Sequence, residues 1–131
     1  MSQIHKNHMD YIIEKGEKYS TITVKSEKLN SLLAPDLKED FARLSQGGDV
    51  NLILNLEEVK YCDSSGLSSL LSGNRQCRDN GGRLIICCLQ DMVEKLIAIS
   101  HLNEILKITP TLSEASDLMM MELLEDDINN S

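Results

Sequence analysis

Residues 50–67 read VNLILNLEEVKYCDSSGL. The first seven are too few and too β-prone to make a good helix between Gly47-Gly48 and Glu57-Glu58, so they read as a buried central strand. The last five, Asp63-Ser64-Ser65-Gly66-Leu67, have the composition of a helix start. Asp and Ser side chains accept hydrogen bonds from the amides that a first helical turn leaves unpaired, an effect of about 0.5–2 kcal/mol. A strand that hands over to a capped helix implies a layer of sheet covered by a layer of helices.

The flanking sequence extends that layer in both directions. Upstream, DYIIEK and YSTITVK read as two strands joined at Gly16-Glu17-Lys18, with Ile22 and Val24 alternating against Thr21, Thr23 and Lys25. Leu33, Leu37, Phe41 and Leu44 then recur at helical spacing up to Gly47-Gly48, and Pro35 fits only in the first turn of that helix. Downstream, Leu67, Leu70 and Leu71 give a helical face that stops at Asp79-Asn80-Gly81-Gly82, and RLIICCL is another short apolar run. Asp91 with Glu94, and Thr111 with Glu114, both have the spacing of a capping box opening a helix. Between those two helices EILKI reads as a short edge strand. The expected fold is α/β, a mixed β-sheet covered by about four helices in the order ββαβαβαβα, with right-handed crossovers. Residues 1–8 read as a flexible start, 9–124 as a single domain and 125–131 as an acidic flexible tail.

Composition narrows the function classes. A chain of 131 residues with net charge −8 lacks the Lys and Arg excess that phosphate backbones demand, so no nucleic-acid partner is expected. Aromatic residues make up 3%, which leaves few platforms for stacking bases or sugars. No apolar run approaches the roughly 18–20 residues that span a bilayer, and MSQIHKNHMD is no signal peptide, so the expectation is a cytoplasmic protein without direct membrane insertion. Cys62, Cys77, Cys87 and Cys88 have no zinc-site spacing and are read as ordinary thiols, the adjacent Cys87 and Cys88 pointing to opposite faces if both lie on a strand. No metal or cofactor is expected. The stretch YCDSSGL also lacks the G-x-S-x-G spacing of a nucleophile elbow, so no catalytic residue is assigned and no enzyme is expected.

A helix start is also a seat for an anion, because free amides and the helix dipole favour negative charge there. A phosphate on Ser64 would add about −1.5 to −2 charges beside Asp63, to be felt at the surface more than in the core. The stretch NLEEVKYCDSSGLSSLLSG, followed by GGRLIICCLQDMVEKLIAISHLNEILKI, resembles the STAS domain of bacterial anti-sigma factor antagonists over roughly residues 9 to 118. In that family a D-S-S-G-L motif follows the central strand and a G-G segment opens the next one.

The resemblance implies that Ser64 is the phosphoacceptor, with Ser65 ranked below it, and that Asp63 and Gly66 support the switch motif. It further implies that the unphosphorylated form binds an anti-sigma factor that is also a serine kinase, releasing a sigma factor, and that phosphorylation blocks binding until a serine phosphatase restores it. Asn30, Ser65 and Leu67 are then expected to contact the partner. Asn30 stands where relatives usually carry a carboxylate, since this chain reads Glu27-Lys28-Leu29-Asn30 in place of G-E-L-D. Where relatives read S-G-L it has Ser100-His101-Leu102, and His101 is read as a surface side chain. The competing reading is a STAS module that is never phosphorylated, serving as a scaffold in a stress-signalling complex or as a subunit of a lipid transporter. Finally, Met119-Met120-Met121 cannot all face inward on one helix, so one or two of them are expected at the surface.

Overall fold

The computed structural model describes the backbone of residues 3–8 and both backbone and side chains of residues 10–130. Among the described residues the elements run β1 (Gln3–His8), β2 (Tyr11–Lys15), β3 (Ser20–Val24), β4 (Lys28–Leu29), α1 (Ala34–Gln46), β5 (Asn51–Asn55), β6 (Tyr61–Cys62) and α2 (Ser64–Asp79). They continue with β7 (Arg83–Cys87), α3 (Asp91–Ile99), a 3-10 turn (Leu102–Glu104), β8 (Lys107–Thr109) and α4 (Leu112–Asn129). One sheet has the order β1-β2-β3-β5-β7-β8, and β4 pairs with β6 in a separate two-stranded ribbon. β1, β2 and β3 are antiparallel, whereas β3, β5, β7 and β8 are parallel, so the sheet is mixed as the sequence predicts.

Strand alternation divides the interior in two. Leu52, Leu54, Leu84 and Ile86 face α1, α2 and α3 in the main core, while Ile53, Ile85 and Cys87 face the other way, against Ala115 and Met119 of α4. Three helices therefore cover one face of the sheet and α4 covers the other. Two glycines set close approaches, one between helices and one between strands. A Cβ on Gly73 would stand 2.6 Å from the Phe41 ring, so α2 lies directly on α1. A Cβ on Gly82 would stand 1.9 Å from the Val50 carbonyl, which is how β7 enters beside β5.

Several local expectations change. Of the start read as flexible, Gln3–His8 pair with β2 as an antiparallel edge strand, because the outer edge of β2 offers free backbone groups to pair with; residues 1 and 2 lie outside the described residues. The acidic stretch read as a tail continues α4 as far as Asn129, anchored by an ion pair between Arg83 and Asp126; Ser131 lies outside the described residues. Thr111 caps α4 as expected, its hydroxyl accepting from the Glu114 amide at 3.1 Å. Asp91 does not cap α3: Gln90 holds the cap position without a side-chain bond, and Asp91 is the first helical residue, where its charge favours the dipole. Cys87 and Cys88 do not point to opposite faces. Cys88 lies past the end of β7 with φ of 65°, and this left-handed turn brings it against the same cluster that buries Cys87. In EILKI only the end is strand, since the 3-10 turn takes up Glu104.

Candidate functional site

The junction after the central strand is built by the small ribbon. β6 runs parallel to β4 in the register Lys28↔Tyr61 and Leu29↔Cys62, and the Lys60 and Tyr61 amides both donate to the Glu27 carbonyl, at 2.8 and 3.0 Å. The Asp63 amide follows with a long bond of 3.4 Å to the Leu29 carbonyl. Asp63 is extended (φ −106°, ψ −171°) and caps α2, its carboxylate accepting from the Gly66 amide at 3.0 Å. The Asp63 carbonyl accepts the first helical bond, from Leu67 at 3.0 Å.

Gly66 is fixed by its neighbours. A Cβ there would lie 2.2 Å from the Leu29 carbonyl oxygen and 2.5 Å from the Cys62 sulfur, so any side chain would drive α2 and β4 apart. The buried Ser69 hydroxyl donates to the Gly66 carbonyl at 2.6 Å and tightens the same turn. Ser64, the first residue of α2, is exposed, and its hydroxyl makes no hydrogen bond among the described residues. Ser65 is half-buried. One turn below Ser64, on the same side of the helix, Ser68 accepts from the Lys38 ammonium at 2.8 Å, which holds a cation of α1 near the helix start.

Asn30 directly follows the strand residue whose carbonyl meets Gly66, so the tertiary fold brings Asn30 and the Asp63–Gly66 turn together. Its side-chain oxygen accepts from the Leu32 amide at 3.1 Å, and its carbonyl accepts from Ala34 at 2.8 Å, turning the chain into α1. A carboxylate could make the same side-chain bond; what the amide removes is a charge. Leu67 is partly buried and packs against the main core. The exposed apolar side chains flanking the motif are others: Leu32, 85% exposed in the turn after Asn30, and Tyr61, 49% exposed on β6. Sequence reasoning passed over Leu32 because Leu33, the adjacent residue, carries the helical spacing.

The Asp63 carboxylate is committed to the cap, and Cys62 is buried, its thiol pushed up to about 12 first by desolvation and then by the negative charge of Asp63. His101 is remote in kind: it lies in a left-handed turn (φ 60°), exposed, with Nδ1 3.4 Å from a Glu104 carboxylate oxygen. Among the described residues no helix is long and apolar enough to cross a membrane.

The family model of the STAS domain matches residues 13–115, a stretch that includes the ribbon and the capped D-S-S-G turn. The chain belongs to the STAS domain family. It is 27% identical over 92 residues to the anti-sigma-B factor antagonist of Staphylococcus aureus, an alignment covering 70% of this chain and 84% of that protein. Its fold matches an anti-sigma-factor antagonist (STAS) domain protein from Planctomyces limnophilus with a TM-score of 0.75 at 18% identity, over 85% of this chain and 98% of that one. It also matches the phosphorylated form of the Bacillus cell fate determinant SpoIIAA, with a TM-score of 0.65 at 21% identity, over 82% of this chain and 96% of that one.

Proposed function

We propose that the chain is an anti-sigma factor antagonist, a binding protein and not an enzyme, switched by phosphorylation of Ser64. The observation that carries the reading is the position of that hydroxyl: exposed, without a hydrogen bond among the described residues, and first in a helix whose cap is supplied by its neighbour Asp63. A kinase can reach it without unfolding the turn. Unphosphorylated, the surface formed by Ser64, Ser65, Asn30, Leu32 and Tyr61 docks on an anti-sigma factor that is itself a serine kinase, and the sigma factor is released. Phosphorylated, the same surface carries about two further negative charges beside Asp63, which oppose docking on a site shaped for a neutral hydroxyl. A serine phosphatase then restores the binding form. Likeness to a S. aureus antagonist and to a structure solved in a phosphorylated form supports this reading.

Incubation with the anti-sigma kinase and ATP, followed by mass spectrometry of the peptide containing Ser64, tests it. Phosphate on Ser64 is expected; its absence from both Ser64 and Ser65 would transfer the chain to the scaffold or transporter-subunit reading. Ser64→Ala should bind the kinase without regard to ATP, and Ser64→Asp should bind at least about tenfold more weakly, a difference of about 1.4 kcal/mol. Equal affinities of the two variants would sink the switch.

A further inference from the structure

α4 is apolar on two opposite sides. The inner side, Ala115, Leu118, Met119 and Leu123, closes the second core against the sheet. At about 3.6 residues per turn, Met120, Met121, Leu124 and Ile128 fall on the side facing away, and they are 40%, 61%, 60% and 64% exposed. Four large apolar side chains on one strip form a contiguous patch of the kind that marks a binding surface on a water-soluble fold. Along the flank of α4 that meets Lys18 of the β2–β3 turn, Met120, Met121, Leu123 and Leu124 line an open groove of about 550 Å³, with Asp126 and Asp127 also in its wall.

The rim states what fits there. Glu122 and Asp126 are engaged by Arg83 and Lys107, which lock α4 onto the sheet. Asp117, Glu125 and Asp127 are exposed or at the rim and make no ion pair among the described residues, and Lys18 is the one cation in the lining. A second copy of α4 would set these carboxylates against their own kind, and an anionic membrane would be repelled by them. A helix with an apolar stripe flanked by Lys and Arg satisfies both the strip and its rim. We propose that the outer side of α4 is a docking groove for a basic amphipathic helix of a protein partner.

The strip from Met120 to Ile128 matches about two to three turns of such a helix, with anchors at i, i+3/i+4 and i+7/i+8 spacing. The two methionines supply a surface that adapts to the partner's side chains. Because α4 lies on the face of the sheet opposite α2, this groove and the Ser64 surface can be occupied at once.

The full chain, titrated into a fluorescent Leu/Lys peptide of about eighteen residues with helical periodicity, tests the proposal by anisotropy; a scrambled peptide of the same composition and a Leu/Glu peptide serve as controls. The periodic Leu/Lys peptide should bind about tenfold or more tighter than the scrambled one, and weaken as salt rises from about 50 to about 200 mM. The Met121→Ser/Leu124→Ser double variant should lose about tenfold in affinity with an unchanged melting temperature, since both side chains are exposed. Asp117→Asn/Asp127→Asn should weaken binding and flatten its salt dependence. Equal binding of the periodic Leu/Lys peptide and either control, or undiminished binding by the Met121→Ser/Leu124→Ser variant, would overturn the proposal. So would a dimer in sedimentation velocity that the same variant dissociates, which would give the face to a second copy.

Discussion

Gly66 is a residue whose sequence reading and structural role differ. In the sequence it stands in a helix start; in the fold it is the point where α2 touches β4, with no room for a Cβ against the Leu29 carbonyl. Gly66→Ala should therefore destabilise the protein by about 1–3 kcal/mol despite the better helix propensity of alanine, seen as a lower urea midpoint. The strain falls on Leu29 and should also shift the amide resonances of Asn30 and Leu32. Unchanged resonances there would mean that the ribbon and the motif are not coupled. Asp63 was legible from the motif alone because capping is local chemistry. Leu32 and Tyr61 were not, because their exposure beside Ser64 depends on where β4 and β6 meet.

Among the elements, the long ones followed from periodicity and the short ones did not. β5 and β7 are apolar runs bounded by turn residues, and α1 ends at Gly47 as its spacing requires. β4 and β6 have two residues each and carry no period at all; they exist because Glu27 and Leu29 offer carbonyls to the chain leaving β5. The α1–α2 contact is similarly tertiary. Gly73→Ala alone should cost about 1–3 kcal/mol, because its Cβ would meet the fully buried Phe41 ring, 2.6 Å away. Combined with Phe41→Leu, the loss should be smaller than the sum of the single losses, as the two changes share one space. Strict additivity in urea denaturation would show that the helices can separate without cost.

For the whole molecule, the buried thiols fix the response to alkaline pH. Burial pushes Cys62 and Cys77 up to about 12 from the ordinary thiol value of 9.0 and raises Cys87 and Tyr11 as well. Above pH 9 the unfolded chain has released these thiol protons while the folded chain keeps them, so unfolding is favoured as pH rises. The stability they protect is present below pH 9 and is lost progressively as pH rises from about 9 towards 12. Cys77→Ala should make this decline shallower in urea titrations from pH 8 to 11, whatever its effect at neutral pH. An unaltered slope would mean that Cys77 already ionises in the fold.

The sequence by itself determined the layer class, the central strand and the helix cap at Asp63, because hydrophobic period and capping act over a few residues. Only the tertiary structure decided that a ribbon of two short strands brings the turn opening α2 against Leu29, just ahead of Asn30, that the start pairs as an edge strand and that the acidic end of the chain is helical. Each of these rests on partners far apart in sequence: the Leu29 carbonyl against Gly66, β1 against the edge of β2, and Arg83 against Asp126. Local composition gives no sign of such pairs, since their free energy exists only once the sheet has brought them into contact.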